Sequence, residues 1–248
     1  MLFRSAQEDA IDAAARLHLE GIEHLARPRS VVERIDLVEH QDLTDAGSVD
    51  LVQHPHHLLE LLESPFASRN FDLHPERIGR LRRHTHDFLM QLERIRYDYW
   101  EKIPVLIDWN LGNFSVDRHA DGSFHFFSRW DYDWFRIEPR LMDFYFCSRV
   151  SSRTGDRTHW TYGPHTLTEE PFLRFLGAYH EVYPLSQAEV EFIPETYRFF
   201  ILNYVVREGA RFFRADLCEQ FRRDAATRYL PALDELDIEP IRQVVRPR

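Results

Sequence analysis

Lysine is almost missing from this 248-residue sequence: among its 31 lysine and arginine residues, Lys102 is the only lysine. Glycine is also scarce, with nine residues, which disfavours Gly-rich repeats and disordered linkers. The two cysteines, Cys147 and Cys218, lie far apart and form no C-x-x-C pattern. That spacing disfavours a zinc or redox motif, so we expect two buried, reduced thiols.

The sequence also lacks a net positive charge and long apolar runs. The formal net charge is −10, which disfavours nucleic acid as a partner. No uninterrupted apolar run approaches the length of a membrane span, and the first residues lack the apolar region of a signal peptide. We therefore expect a cytoplasmic protein without a nucleic-acid or membrane partner. A hydrophobic fraction of 44% is enough for a buried core.

One stretch, residues 104–143, places acidic and amide side chains at the ends of short apolar segments. The aliphatic run 104–107 predicts a buried strand that ends at Asp108. Asn113 follows Asp108 by five residues, across a segment that is typical of a turn. The sequence therefore predicts that a carboxylate and an amide meet after this strand.

A hairpin is predicted next. The apolar segments 114–116 and 124–127 are its arms, joined by a polar loop that contains glycine. Asp131 follows the second arm, and Asp133 lies two residues beyond it. A carboxylate, an amide, a hairpin and a further carboxylate form the order that phosphoryl-transfer enzymes use.

Each acidic residue by itself is more often a cap or turn residue. Together, carboxylates at neighbouring strand ends repel one another unless cations or hydrogen-bond donors offset the charge. A bound divalent metal is one possible offset. Three nearby arginines are the alternative: Arg129, Arg136 and Arg140.

These motifs resemble the catalytic core of the aminoglycoside phosphotransferase and choline kinase superfamily, the small-molecule branch of the protein-kinase-like fold. The family's catalytic loop, H-G-D-x-x-x-x-N, is matched by Asp108 and Asn113, with Leu106-Ile107 in place of His-Gly. Its metal motif, I-D-[FW]-[DE], is matched by Asp131 and Asp133. The following G-P-R-x-x-D pattern is matched by the run E-P-R-L-M-D, which contains Pro139, Arg140 and Asp143.

The resemblance implies a role for each matched residue. Asp108 would be the catalytic base that takes the proton of a substrate hydroxyl. Asn113 and Asp131 would hold magnesium, with Asp133 behind the metal or on a second ion. Asp143 would be a structural brace for the catalytic loop. The implied cofactors are Mg²⁺ and ATP, or GTP, and the implied partner is a small molecule with a hydroxyl group.

The implied fold is α+β and mainly helical: a protein-kinase-like C-terminal lobe with a short β-hairpin that carries the catalytic and metal residues. We expect one domain over 1–248, with its catalytic core at 104–143 and a helical remainder at 172–230. Periodic apolar positions predict helices at 7–26, 56–62, 75–99, 141–150, 172–183, 187–213 and 216–230.

Several helix ends have their own signals. Ser186, three residues ahead of Glu189, predicts a capping box at the helix that begins with Gln187. Pro231 predicts the end of the helix before it. The tail rich in arginine is expected to be a solvated end, with Arg242, Arg246 and Arg248.

Compared with the kinase-like pattern, this sequence lacks the signals of an N-terminal β-sheet lobe, which we therefore expect to be absent. Kinase-like folds carry a nucleotide-binding lysine on that lobe, well before the catalytic loop. Lys102 precedes Asp108 by only six residues, so a surface linker is the preferred interpretation, and no Gly-rich phosphate loop precedes Asp108. Either the sequence is part of a longer protein, which we favour, or the protein is a naturally shortened relative.

The expected function is a small-molecule phosphotransferase that moves the γ-phosphate of ATP to a substrate hydroxyl. Aminoglycosides, choline, homoserine and sugar alcohols all remain possible acceptors. The alternative is a catalytically degenerate kinase-like protein that serves as a binding or scaffold protein. A metal-dependent hydrolase is disfavoured, because it would usually recruit histidines. We interpret the cluster His54, His56 and His57 as a solvated helix start.

Overall fold

The computed structural model describes residues 53–129, 132, 134–152 and 162–246. This part of the chain is mainly helical, with two small antiparallel sheets. The helix predicted at 7–26 lies outside it. The described α-helices are α1 Gln53–Glu63, α2 Ala67–Phe71, α3 Pro75–Arg94, α4 Phe144–Ser151, α5 Glu170–Val182, α6 Gln187–Phe200, α7 Gly209–Phe212, α8 Ala215–Asp224, α9 Leu230–Asp234 and α10 Glu239–Val244.

Four short strands make the two sheets. In the first sheet β1 (Ile103–Val105) pairs with β4 (Arg136–Glu138), and in the second β2 (Phe114–Arg118) pairs with β3 (Phe124–Arg129). The β2–β3 pair is the predicted hairpin, with longer arms than expected and an irregular register after Ser115. Between residue 53 and β1 the chain forms helices and a 3-10 turn. The prediction of a missing β-sheet lobe also concerns residues 1–52, which lie outside the described part.

The strand predicted at 104–107 is shorter than expected. It ends at Val105, because Ile107 has a φ of +57°, in the left-handed region that cannot continue a strand. The sequence pattern did not reveal this turn, since isoleucine is typical of strands.

Helix α3 also ends earlier than its pattern predicts. Pro75 occupies the first turn, and the His74 side chain accepts a hydrogen bond from the N–H of Glu76 at 3.4 Å. The helix ends at Arg94 rather than near Tyr99, because Arg96 adopts a left-handed conformation with φ of +56°. A 3-10 turn, Tyr97–Tyr99, then leads to β1.

The predicted capping box at α6 is confirmed. The Ser186 hydroxyl accepts from the Glu189 N–H at 3.3 Å, and the Glu189 carboxylate accepts from the Ser186 N–H at 2.8 Å. The helix predicted at 187–213 is divided into α6, a π-helical segment Ile201–Arg207, and α7.

One prediction near the C-terminus is wrong, and another is only partly confirmed. Pro231 does not end the helix, because a wider π-helical segment, Ala225–Tyr229, precedes it and Pro231 falls in the first turn of α9. Arg242 is exposed, as a solvated end requires, but it is not frayed, because it lies in α10 and its guanidinium pairs with Glu191 at 2.8 and 3.0 Å. Arg246 likewise donates to Glu239 at 2.7 Å, while Arg248 lies outside the described residues.

Aromatic side chains fill the core between α3, α4 and α6. The Phe88 ring lies 6.2 Å from Phe192 and 6.0 Å from Phe199, centre to centre.

Both cysteines are free and buried, as predicted. Among the residues that the structure describes, no helix has both the length and the apolar composition needed to cross a bilayer.

Candidate functional site

The loop after β1 brings Asp108 and Asn113 together. The Asp108 carboxylate accepts from the N–H of Asn110 at 3.1 Å, and the Asn110 side chain accepts from the N–H of Gly112 at 3.0 Å. Such side-chain turns reverse the chain locally. A short 3-10 turn, Leu111–Asn113, completes the reversal, and Asn113 Nδ2 lies 3.4 Å from Asp108 Oδ2. Asp108 is half-buried, whereas Asn113 is 8% exposed.

Asp143 holds the backbone just ahead of Asp108. It ends the 3-10 turn Arg140–Asp143 and is only 2% exposed. Its Oδ1 accepts hydrogen bonds from the N–H of Leu106 at 2.9 Å and from the N–H of Ile107 at 2.7 Å. A buried carboxylate needs such donors, since burial without partners is costly. The structure therefore ties the loop to α4 through one oxygen.

Burial also changes the proton affinity of this carboxyl. It raises the pKa of Asp143 to about 6, although hydrogen bonds from the backbone N–H groups of Ile107 and Leu106 and the charge of Arg129 act in the opposite direction. Desolvation disfavours the charged form, and donors favour it. At neutral pH the group is a buried carboxylate that these donors stabilise.

Ile107 adopts a conformation that its side chain disfavours. Its φ of +57° is in the left-handed region, which costs a β-branched residue roughly 1–2 kcal/mol. The motif that this segment resembles has glycine at the same position. The Ile107 side chain is 3% exposed, so its burial compensates for part of this cost. Sequence reasoning noted the substitution but did not predict the backbone geometry.

The three arginines considered as charge offsets have different positions. Arg129 Nη2 donates to the backbone oxygen of Asp108 at 3.0 Å. Arg140 instead pairs with Glu189, at 2.8 and 3.0 Å, and donates to the carbonyl of Pro184 at 2.9 Å. Arg136 lies close enough to Tyr204 for its charge to lower the pKa of that hydroxyl, against the larger raising effect of burial. Arg129 is therefore the arginine of these three that contacts the loop. The register of the hairpin, which places Arg129 opposite Phe114, is the signal that could have indicated this contact.

Two of the three predicted metal ligands, Asp131 and Asp133, lie outside the described residues, and Asn113 lies within them. Within the described residues, no group of three or more His, Cys, Asp or Glu side chains is placed to hold a metal. The oxygens of Asp108 and Asn113 are nevertheless the hard donors that magnesium prefers. These two residues therefore have the oxygen donors that a magnesium site needs. The complete set of ligands, with Asp131 and Asp133, stays a prediction.

The other predicted candidates make contacts outside the loop that carries Asp108 and Asn113. Lys102 Nζ sits 6.0 Å from the centre of the Tyr97 ring. His56 and His57 are exposed, as a solvated helix start requires. That interpretation is wrong for His54, which is 4% exposed and lies 3.0 Å from Asn203 Oδ1 through its Nδ1. Burial, together with the charges of Arg207 and Arg136, lowers the pKa of His54 to about 4.

No family model and no curated protein matches the sequence. Among solved structures, the chain is similar to the crystal structure of an aminoglycoside phosphotransferase from Alicyclobacillus acidocaldarius, with a TM-score of 0.45 and 14% sequence identity. The match covers 79% of this chain and 57% of the other, so this chain spans less than two thirds of that protein. At this level of similarity it assigns neither an activity nor site residues to this chain.

Proposed function

We propose that this chain forms the catalytic lobe of a kinase-like phosphotransferase, which moves the γ-phosphate of ATP or GTP to the hydroxyl of a small molecule. The observation that carries the proposal is the meeting of Asp108 and Asn113, 3.4 Å apart, on a loop whose backbone is held by the buried Asp143. A proton acceptor beside a metal-ligating amide is what this chemistry requires.

Asp108 would accept the proton of the substrate hydroxyl. Its Oδ1 is oriented by the N–H of Asn110, and the residue is only half-buried, which leaves it accessible to a substrate hydroxyl. A general base must come within about 2.6–3.2 Å of the proton donor, and a fixed side chain makes that approach reproducible.

Asn113 and Asp131 would hold magnesium, and Asp133 would lie behind it or bind a second ion. When bound with the nucleotide, the ion supplies charge neutralisation at the phosphates. The Asn113 amide lies 3.4 Å from the Asp108 carboxylate and is 8% exposed, so it is placed within the loop rather than at the surface. The acceptor remains open among aminoglycosides, choline, homoserine and sugar alcohols.

A catalytically degenerate binding or scaffold protein is the second candidate. The left-handed Ile107 favours it, because this geometry is costly in the residue directly before the proposed base. The two candidates differ in one measurable property. Only the phosphotransferase loses a chemical reaction when the carboxylate of Asp108 is neutralised.

The test follows transfer of labelled γ-phosphate from magnesium-ATP to a panel of the four acceptor classes. It uses the 248-residue chain and, where in-frame coding sequence lies upstream, the extended protein. Asp108→Asn keeps the shape of the side chain but removes the proton acceptor, so we expect a loss of about 10²- to 10⁴-fold in kcat. Asp117→Asn, an exposed change on β2, is the matched control and should leave the rate unchanged.

Comparable turnover of Asp108→Asn and Asp117→Asn would refute the role of Asp108 as the base. If magnesium-ATP binds but no acceptor of the panel is phosphorylated by the unaltered protein, the degenerate binding protein becomes the better account. Thermal unfolding of both variants provides the folding control.

A further inference from the structure

The backbone of Ile107 is supported from two sides by residues that are distant in sequence. Before it, Asp143 binds the N–H groups of Leu106 and Ile107. After it, Arg129 binds the carbonyl of Asp108 at 3.0 Å. A left-handed β-branched residue persists only where its surroundings over-determine it. The hydrogen bonds to Asp143 hold the backbone up to Ile107, and the hydrogen bond from Arg129 holds the carbonyl of the next residue.

Aromatic rings hold Arg129 itself. It is the last residue of β3 and lies opposite Phe114 of β2 in the sheet register. The guanidinium carbon is 5.4 Å from the centre of the Phe114 ring and 4.9 Å from that of Tyr132. The Phe114 ring stacks in turn on Trp109, with centres 5.8 Å apart and planes 22° apart. We name Trp109, Phe114, Arg129 and Tyr132 the Arg129 stack.

The Arg129 stack joins the loop and the hairpin twice. Trp109, the residue after Asp108, contacts β2 through its ring, and the carbonyl of Asp108 contacts β3 through the guanidinium. Rotation of the Asp108 backbone would have to break both contacts together. The loop is thus fixed to the strand that leads toward Asp131.

We propose that Arg129 is a positioning residue for Asp108, which locks the backbone of the base to the β2–β3 hairpin. This inference rests on the proposed function and deepens it. Arginine suits the role because its planar guanidinium stacks on rings and donates a hydrogen bond within its plane at the same time. A lysine ammonium keeps the charge but lacks that fixed plane, so Arg129→Lys should not replace it.

The consequence for the reaction is specific. The guanidinium contacts a backbone carbonyl of the loop, so its removal should displace the base rather than weaken nucleotide binding. A misplacement near 1 Å can cost about 10²-fold in rate. The expected change is therefore a lower kcat with little change in the KM for ATP.

Hydrogen exchange measured by mass spectrometry tests the lock without requiring turnover. We compare the unaltered protein with Arg129→Met, Arg129→Lys and the control Arg118→Met, which changes an exposed arginine of the same hairpin. In both Arg129 variants we expect exchange of the peptide covering residues 106–113 to accelerate by about tenfold or more, while peptides of α6 keep their rates. Arg118→Met should match the unaltered protein.

The second measurement is transfer from magnesium-ATP to the acceptor that responds best in the panel. The proposal expects kcat to fall about 10-fold or more in both Arg129 variants, with KM for ATP within about twofold. If Arg129→Met does not fold, Arg129→Lys decides both measurements.

Unchanged exchange at residues 106–113 in the Arg129 variants would overturn the lock. Faster exchange with an unchanged kcat would overturn the positioning role. Faster exchange in a protein that phosphorylates no acceptor would support the lock while counting against the proposed function, so the two failures are distinguishable.

Discussion

Two buried titratable side chains, Asp143 beneath the loop and His84 within the helices, show different uses of a polar group in the same core. Asp143 binds backbone N–H groups and so determines the path of a loop. His84, which is fully buried, contacts side chains: its Nδ1 lies 2.6 Å from Arg198 Nη1 and its Nε2 lies 3.2 Å from Arg83 Nη2. The first arrangement positions backbone, whereas the second ties α3 to α6.

Their partners also differ in charge. The hydrogen-bond donors to Asp143 are neutral backbone groups, with the charge of Arg129 acting from nearby, whereas His84 is in direct contact with two guanidinium groups. Arg198 is in turn paired with the buried Glu195 at 2.8 Å. Loss of Asp143 should therefore disturb a local conformation, and loss of His84 should disturb a packed charge network. Each prediction below tests one side of this comparison.

The largest effect on stability is expected from Asp143→Ala. It leaves the N–H groups of Leu106 and Ile107 without their acceptor, so we expect a loss of roughly 3 kcal/mol in the free energy of unfolding. Urea unfolding at pH 7 measures it, with Asp117→Ala on the exposed hairpin as the control. A loss below about 0.5 kcal/mol, which is typical of surface changes, would show that the loop does not depend on Asp143.

The second prediction uses pH, because His84 and Asp143 change the free energy of unfolding in opposite directions as the pH falls. Burial and the charges of Arg198 and Arg83 lower the pKa of His84 to about 4, with a small opposing effect of Asp87; Asp234 also lies 3.8 Å from its Nε2. A lowered pKa means that the unfolded state takes up the proton first. Stability from His84 is present above pH 6.5 and is lost as the pH falls toward 4, by on the order of 3 kcal/mol.

Asp143 behaves in the reverse way. Its pKa is raised to about 6, so the folded state takes up the proton first and its contribution increases as the pH falls from about 6 toward 3.8. Unfolding free energies between pH 7 and 4 should show a shallower loss for His84→Gln than for the unaltered protein. His86→Gln, an exposed change on the same helix, is the control. For Asp143→Asn the free energy of unfolding should fall more steeply with decreasing pH than for the unaltered protein. Equal pH dependence of stability in all variants would contradict the comparison.

The smallest effect concerns Ile107. Glycine is usually worse than alanine by about 0.5–1 kcal/mol within regular structure, but at a φ of +57° the order should be reversed. Both variants lose the buried side chain, and only Ile107→Gly also relieves the strain. We expect Ile107→Gly to be more stable than Ile107→Ala by about 1 kcal/mol in urea unfolding. The opposite order would show that the left-handed geometry is not present in solution.

Local features of this molecule could be predicted from the sequence. The β2–β3 hairpin, the turn between Asp108 and Asn113, and the capping box of Ser186 all depend on residues close together in the chain. Their signals are turn formers, alternating apolar residues and a serine–glutamate spacing, and each acts over a few residues.

Features that depend on distant partners could not be predicted in this way. The strand pattern continued through Ile107, yet contacts with Asp143 give it a left-handed conformation. The contact of Arg129 depends on strand register, and the burial of His84 depends on Arg198, which is 114 residues away. Local propensity yields to such tertiary contacts. The positions of Asp131 and Asp133 remain predictions.

The most direct measurement is the phosphoryl transfer rate of Asp143→Ala compared with His84→Ala, both at a temperature where circular dichroism shows them folded. If Asp143 positions the loop of the catalytic base, its removal should lower kcat by about 10-fold or more, whereas the folded His84→Ala protein should keep the rate within about twofold. Equal rates in both folded variants would contradict the claim that the buried carboxylate serves the site and the buried histidine serves the fold.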